Sequence, residues 1–210
     1  MYVPRHFAVD DPATLFELIE AHPFALMVLQ MEGGLEAAHL PFVLDRDRGP
    51  QGTLRCHVAR ANPIWKACDG QVSALIVFGG QNAYVSPDWY VESEHQVPTW
   101  NYAAVHVSGR PQVMADDAVR GVLDDLSAQF ENTLLPKQPW TSDKLPESLF
   151  TGLRKGIVGL DIPIDTIQGK WKLSQNKKPG DIAGAADALD ALGGEANSAI
   201  ARMMRAAAPV

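Results

Sequence analysis

FALMVLQMEGGLEAAHLPFVLD, residues 24–45, reads as two strands joined by a tight turn, and that reading sets the class of fold. Residues 24–30 and 35–45 are rich in Val, Leu, Met and Phe. Gly33-Gly34 between them gives the backbone the freedom that a hairpin turn requires. Outward from this hairpin the pattern repeats. Residues 52–60 and 71–78 are further strands, and the second is apolar on both faces, as expected at the centre of a sheet. Gly79-Gly80 reads as another turn leading to a short strand at 83–85. Residues 102–113 alternate, with Ala103, Val105, Val107 and Val113 on one face and Tyr102, His106, Ser108, Arg110 and Gln112 on the other. Residues 156–167 make one more strand, with Val158, Leu160, Ile162 and Ile164 inward and Asp161 and Asp165 outward.

Helices flank these strands. Asp11-Pro12 is a helix start, Asp11 as cap and Pro12 at the first helical position, and His22-Pro23 stops that helix. Asp116 is expected to cap a second helix, whose Val119, Val122, Leu123, Leu126 and Phe130 recur at helical spacing. Residues 86–98 and 135–146 are rich in proline and polar side chains and read as loops. From Asp181 the chain is alanine-rich and helical, broken at Gly193-Gly194. Because most strands follow one another with no helix between them, an antiparallel meander or barrel is expected, not a doubly wound sheet. The expected class is mainly β with flanking helices (α+β): a main domain over residues 1–178 and a C-terminal helical appendage over 179–210.

Composition narrows the function. The 210 residues include two cysteines, too few and in too large a chain for a disulfide scaffold. The N-terminus has no basic-then-apolar signal pattern, and no apolar run approaches the roughly 18 residues of a membrane span. The expectation is a soluble, cytoplasmic protein without a membrane partner. Lys and Arg number 18 against 25 Asp and Glu, a net charge of −7. Binding to a nucleic-acid backbone draws on Lys and Arg neutralising phosphates, so a uniformly DNA-binding surface is disfavoured, although a local basic patch is not.

No Walker A, GxGxxG, GxSxG or HExxH pattern is present. Four polar and aromatic clusters stand out instead: His57-Val58-Ala59-Arg60-Ala61-Asn62-Pro63-Ile64-Trp65, Ser86-Pro87-Asp88-Trp89-Tyr90, Val97-Pro98-Thr99-Trp100-Asn101-Tyr102, and Gly169-Lys170-Trp171-Lys172-Leu173-Ser174-Gln175-Asn176. Together they offer cations for a phosphate, hydroxyls and amides for a polyol, and flat rings for an aromatic system. FMN has all three parts, and so does any phosphorylated aromatic ligand.

The blocks MYVPRHF, HLPFVLD, HVARANPIW, AYVSPDWY, VPTWNYAAVH and KLSQN resemble, in order, those of the PaiB-type FMN-binding regulators, from the first residue to about Asn176. The resemblance implies an FMN-binding split β-barrel, a homodimer, and negative control of transcription, with DNA as a partner. By position it implies that His57, Arg60 and Asn62 meet the phosphate and ribityl chain. Thr99, Trp100 and Asn101 would line the flavin, and Lys172, Ser174 and Gln175 would complete the pocket. Between Tyr90 and Pro98 many members of that family carry a longer, lysine-containing loop. Here Val91-Glu92-Ser93-Glu94-His95-Gln96-Val97 is short and acidic.

Other readings of the same residues stay open. His57 can be a hydrogen-bonded structural histidine, and Arg60 can pair with a surface carboxylate. Trp65, Trp89 and Trp171 suit packing, and Lys170 and Lys172 suit a solvated strand face. No pair among His39, His57, His95 and His106 has metal-ligand spacing. An FMN-dependent oxidoreductase of the pyridoxamine-phosphate-oxidase-like superfamily, or a haem-binding module, are the alternatives to a regulator. No residue is assigned a catalytic acid or base role.

Overall fold

The structure, a computed structural model, describes residues 1–208; Pro209 and Val210, the end of the expected C-terminal appendage, lie outside the described residues. In chain order the strands are β1 (Ala8–Val9), β2 (Phe24–Met31), β3 (Gly34–Pro41), β4 (Val43–Asp45), β5 (Thr53–Ala59), β6 (Ala74–Val85), β7 (Thr99–Gly109), β8 (Gln112–Val113) and β9 (Ile157–Lys172). The α-helices are α1 (Pro12–Ala21), α2 (Val119–Glu131), α3 (Glu147–Arg154), α4 (Pro179–Leu192) and α5 (Glu195–Ala206). The strands lie in the order β3-β2-β6-β7-β9-β5-β4, with β1 and β8 also pairing to β9. The pairings β1–β9, β2–β3, β2–β6, β4–β5, β5–β9 and β8–β9 are all antiparallel. The mainly β class with flanking helices is the one expected, and the strand path has ends at β3 and β4.

The chain forms two compact units. The first comprises Met1–Leu18, Gly79–Val105 and Gln168–Val210, and the second comprises Ile19–Phe78 and His106–Ile167. In the second unit the expected hairpin is present, with Met31 opposite Gly34 and Ala25, Met27 and Leu29 buried. Strand β5 lies against β9 with Leu54, Cys56 and Val58 opposite Ile162, Leu160 and Val158, all buried. The two period-two patterns therefore face one core.

Gly109, on β7, has no room for a side chain. A Cβ there would stand 2.3 Å from the Pro163 carbonyl oxygen and 2.9 Å from Ile162 Cγ2. The first of these is backbone within a sheet and cannot rotate away. Gly109→Ala is expected to cost stability at or above the top of the roughly 1–3 kcal/mol range for overpacking. In urea denaturation the midpoint should fall with the slope unchanged; an unaltered midpoint would show that the strand can yield.

In the first unit, α4 and α5 share a core with the end of β6. Ile182, Ala185, Leu189, Ile200 and Met204 pack with Ala83, Val85, Tyr90 and Leu173. Gly193 and Gly194 take φ of 70° and 87°, which ends α4 and starts α5 as expected. Asp11 caps α1, its carboxylate accepting from the Thr14 backbone N–H at 2.9 Å.

Three local expectations are corrected, and one helix had none. Gly79-Gly80 is not a turn, since β6 runs through both. At Gly80 a Cβ would meet the Ala103 carbonyl oxygen at 3.2 Å, so this glycine serves close backbone approach. Strand β9 continues past residue 167 to Lys172, carrying the Gly169–Lys172 part of the fourth cluster into the sheet. Asp116 does not cap α2: it lies in a 3-10 turn, Asp116–Ala118, and its carboxylate pairs with Arg154 at 2.6 Å. Helix α3 was not legible in the pattern, because only Phe150 of its eight residues is buried.

Candidate functional site

Of the nine residues that the resemblance assigns to the FMN pocket, six fall in the first unit. Three of them (Thr99, Lys172 and Ser174) line a cavity of about 220 Å³ with His6, Tyr90 and Lys177. The local fold explains how they converge. Strand β9 stops at Lys172, and Ser174 takes a left-handed φ of 67° that turns the chain. Gln175 braces that turn: its Oε1 accepts from the Leu173 backbone N–H at 2.8 Å, and its Nε2 donates to the Trp171 carbonyl at 2.7 Å. Asn101 and Ser174, both buried, exchange hydrogen bonds of 3.0 and 3.2 Å and tie the turn to β7. The Lys172 ammonium donates to Thr99 Oγ1 and, at 2.7 Å, to the Trp100 carbonyl. Trp100 itself is 55% exposed and meets Tyr84 edge-on, with ring centroids 6.0 Å apart.

The electrostatics of this pocket are unbalanced. Burial, and then the positive charges of Lys170 and Lys177, hold the Lys172 ammonium below its ordinary value. Lys177 donates to Gln96 Oε1 at 2.5 Å and lies over the Tyr90 ring. Lys170 donates to the Tyr2 carbonyl at 3.2 Å. All three cations use neutral partners, and none joins an ion pair among the described residues. The Tyr90 hydroxyl is buried without a partner. Burial pushes that phenol up; Ser174 works against the shift, but its hydroxyl proton goes to Asn101 and no full hydrogen bond reaches Tyr90. Uncompensated ammonium groups around a cavity with an orphaned donor fit a bound oxyanion such as a phosphate.

The acidic 91–97 loop is tied down beside this pocket. Glu92 takes Lys178 at 2.6 Å, and its backbone N–H donates to Asp181. His6, Tyr90, Asn176 and Lys177 were not assigned from sequence. The Lys177-Lys178 pair directly after KLSQN was the available signal for one of them.

His57, Arg60 and Asn62 lie in the second unit. Asn62 caps the 3-10 turn Pro63–Ala67, its side chain accepting from the Ile64 N–H at 3.0 Å. Arg60 is exposed and pairs with no carboxylate among the described residues: Nε donates to the Lys155 carbonyl at 2.8 Å and Nη2 to the Ile157 carbonyl at 2.9 Å. Trp65 donates back to the Arg60 carbonyl at 3.0 Å. His57 borders a largely apolar cavity of about 230 Å³, and its Nδ1 is buried without a hydrogen-bond partner.

Burial lowers the His57 imidazole from its usual value near 6.5, and it lowers His106 likewise. The unfolded chain therefore binds these protons more readily than the folded one. The neutral forms carry full stability above about pH 6.5, and stability is lost as the pH falls through that value toward the lowered folded-state pKa. Melting temperature should drop between pH 7.5 and 5.5, and His57→Gln should flatten part of that drop. Identical profiles for the two proteins would show that His57 contributes nothing to it.

Residues 1–166 match the family model described as "Putative FMN-binding domain". The chain is 31% identical over 189 residues to the protease synthase and sporulation protein PAI 2 of Bacillus subtilis, covering 90% of this chain and 89% of that protein. It is 30% identical to an uncharacterized protein of Emericella nidulans, over 98% of this chain and 96% of the other. Among solved structures it is similar to the FAD and heme binding protein of Mycobacterium smegmatis, with a TM-score of 0.58 and 22% identity over 90% of this chain and 81% of the other. The flavocytochrome Anf3 of Azotobacter vinelandii gives the same TM-score at 17% identity, over 81% and 72% of the two chains. These two likenesses establish the fold, the expected split-barrel class. With the family model covering most of its length and the Bacillus relative nearly all of it, the chain belongs to the PaiB-type FMN-binding family.

Proposed function

We propose that the chain binds FMN non-covalently, with the phosphate held in the pocket of Lys172, Lys177 and Tyr90. One observation carries this reading: Lys172 and Lys177, neither with a counter-ion among the described residues, line a cavity with an unpartnered hydroxyl, and Lys170 adds its positive charge at Lys172, in a chain of net charge −7. Thr99 and Ser174 offer polar contacts for the polyol, Asn101 and Gln175 keep the turn in shape, and the exposed Tyr84 and Trp100 rings offer a surface for the flavin. Membership of the family extends the proposal to His57, Arg60 and Asn62, to a homodimer, and to a cytoplasmic location. Among the described residues, no helix is long and apolar enough to cross a membrane. When bound, FMN supplies electron-transfer chemistry, and the protein supplies binding and orientation.

Titration of the purified chain with FMN, read by quenching of flavin fluorescence, should saturate near one FMN per chain. An unquenched titration with no flavin in the absorption spectrum would remove the cofactor. Light scattering decides the dimer.

Family resemblance supports negative regulation of transcription, and the charge distribution supports a small-molecule role instead. On α4 and α5 the Arg205 guanidinium is committed to Asp187 and Asp190, at 2.7 Å each, so it is not free for DNA phosphates. Low-salt gel shifts on the protein's own promoter test the regulator. NADH or NADPH oxidation by the flavin-loaded protein tests the oxidoreductase, and a Soret band after haem addition tests the haem module.

A further inference from the structure

The second unit holds two cavities that share Asp124, Ser127, Trp140 and Ser142 as a common wall. The smaller one, about 230 Å³, is walled by Leu123, Phe150, Leu153 and Ile157, with His57 at its edge. The larger one, about 430 Å³, is lined by Asn132, Thr141 and Asp143 as well. The Trp140 segment is held in place by Glu131, whose carboxylate accepts from the Trp140 backbone N–H at 2.8 Å and pairs with Lys137.

The polar groups here are unspent. His57 Nδ1 is buried without a partner, and the Ser142 hydroxyl, in a buried residue, makes no hydrogen bond to protein among the described residues. Neighbouring carboxylates differ in their engagement. Asp125 is bound to Arg55 at 2.8 Å, whereas Asp124, partly buried between the cavities, joins no ion pair among the described residues. The one cation in the lining is Arg154, and it is committed to Asp116. The site thus has apolar walls, neutral hydrogen-bonding groups and an uncompensated negative charge at its rim. That combination repels anions and suits a molecule with one apolar and one cationic end.

We propose that these adjoining cavities bind an amphipathic amine, with an aromatic or branched aliphatic body against Leu123, Phe150 and Leu153 and its ammonium at Asp124. This site shares only His57 with the residues that family membership assigns to FMN, and its test reads amine binding separately from FMN affinity.

The test is calorimetric titration of the FMN-equilibrated full chain with 2-phenylethylamine, using 2-phenylethanol and phenylacetate as neutral and anionic comparators. The amine should bind saturably, the alcohol more weakly, and the acid not at all. Asp124→Asn should weaken the amine about two- to fivefold, the scale of one partly screened charge pair, while leaving FMN affinity unchanged. Ser127→Phe, which fills the cavity from α2, should abolish amine binding; if that variant fails to fold, Asp124→Asn alone carries the test. The proposal is overturned if the amine does not saturate, if amine and alcohol bind equally, or if Asp124→Asn binds like the parent. Competitive displacement of the amine by FMN would also overturn it, by assigning the cavity to the cofactor.

Discussion

Lys172→Ala will weaken FMN binding by about 10- to 100-fold, the consequence of removing a charged hydrogen-bond donor worth roughly 1.5–3 kcal/mol. The expectation rests on the local charge balance. The ammonium of Lys172 is partly buried, faces two further lysines, and is bonded only to neutral oxygens. A dianionic phosphate would relieve that repulsion, so the energy appears on binding and is absent from the free protein. The free variant should therefore melt close to the parent temperature, because the hydrogen bonds lost to Thr99 and Trp100 are offset by eased repulsion. What should disappear is most of the rise in melting temperature caused by saturating FMN. Lys172→Arg keeps the charge and should retain most of the affinity. Titrations at two salt concentrations add a control: the parent's affinity should fall more steeply with salt than that of Lys172→Ala. Equal FMN affinity in parent and Lys172→Ala would place the phosphate elsewhere and leave the lysine cluster without a ligand.

Leu160→Ala is expected to destabilise the fold by about 2–5 kcal/mol, the range for truncating a large buried aliphatic side chain. Leu160 is 0% exposed and lies on β9 opposite Cys56 of β5 on one side and Val113 of β8 on the other. Strands on both sides fix its surroundings, so the walls have little freedom to collapse onto the space vacated. The cost should therefore fall in the upper half of the range. Leu35 supplies the contrast. It belongs to the same strand-forming class of sequence but is 75% exposed at the start of β3, and Leu35→Ala should change stability by no more than about 0.5 kcal/mol. Chemical denaturation followed by circular dichroism measures both variants. Comparable midpoints for the two would mean that the core around Leu160 repacks freely.

These two positions also mark what a linear reading can and cannot reach. Leu160 was legible because strand periodicity is a local property: side chains alternate every second residue, so Val158, Leu160, Ile162 and Ile164 declare one buried face without reference to their neighbours in space. The Asp11 cap and the Gly193-Gly194 break were legible for a similar reason, since each satisfies or interrupts backbone hydrogen bonding within a few residues. Where two physical causes select the same residue, local reading fails. Gly79-Gly80 looks like a turn, yet the strand passes through it because glycine also serves where backbones come close. Helix α3 failed for the opposite reason: with one buried side chain it has almost no hydrophobic period to read.

The amino-acid sequence by itself determined the antiparallel, mainly β class, the flanking helices, the family, and the residue types that suit a phosphorylated aromatic cofactor. Only the tertiary structure decided which of those residues meet. Asn101 and Ser174 are 73 positions apart yet bonded, and the Lys172 ammonium is held below its ordinary pKa by burial first and then by the charges of Lys170 and Lys177. The cavity beside His57 likewise exists only because α2, α3 and the segment around Trp140 come together. Burial, uncompensated charge and an unpartnered polar atom are properties of the space between distant segments, and local periodicity carries no information about that space.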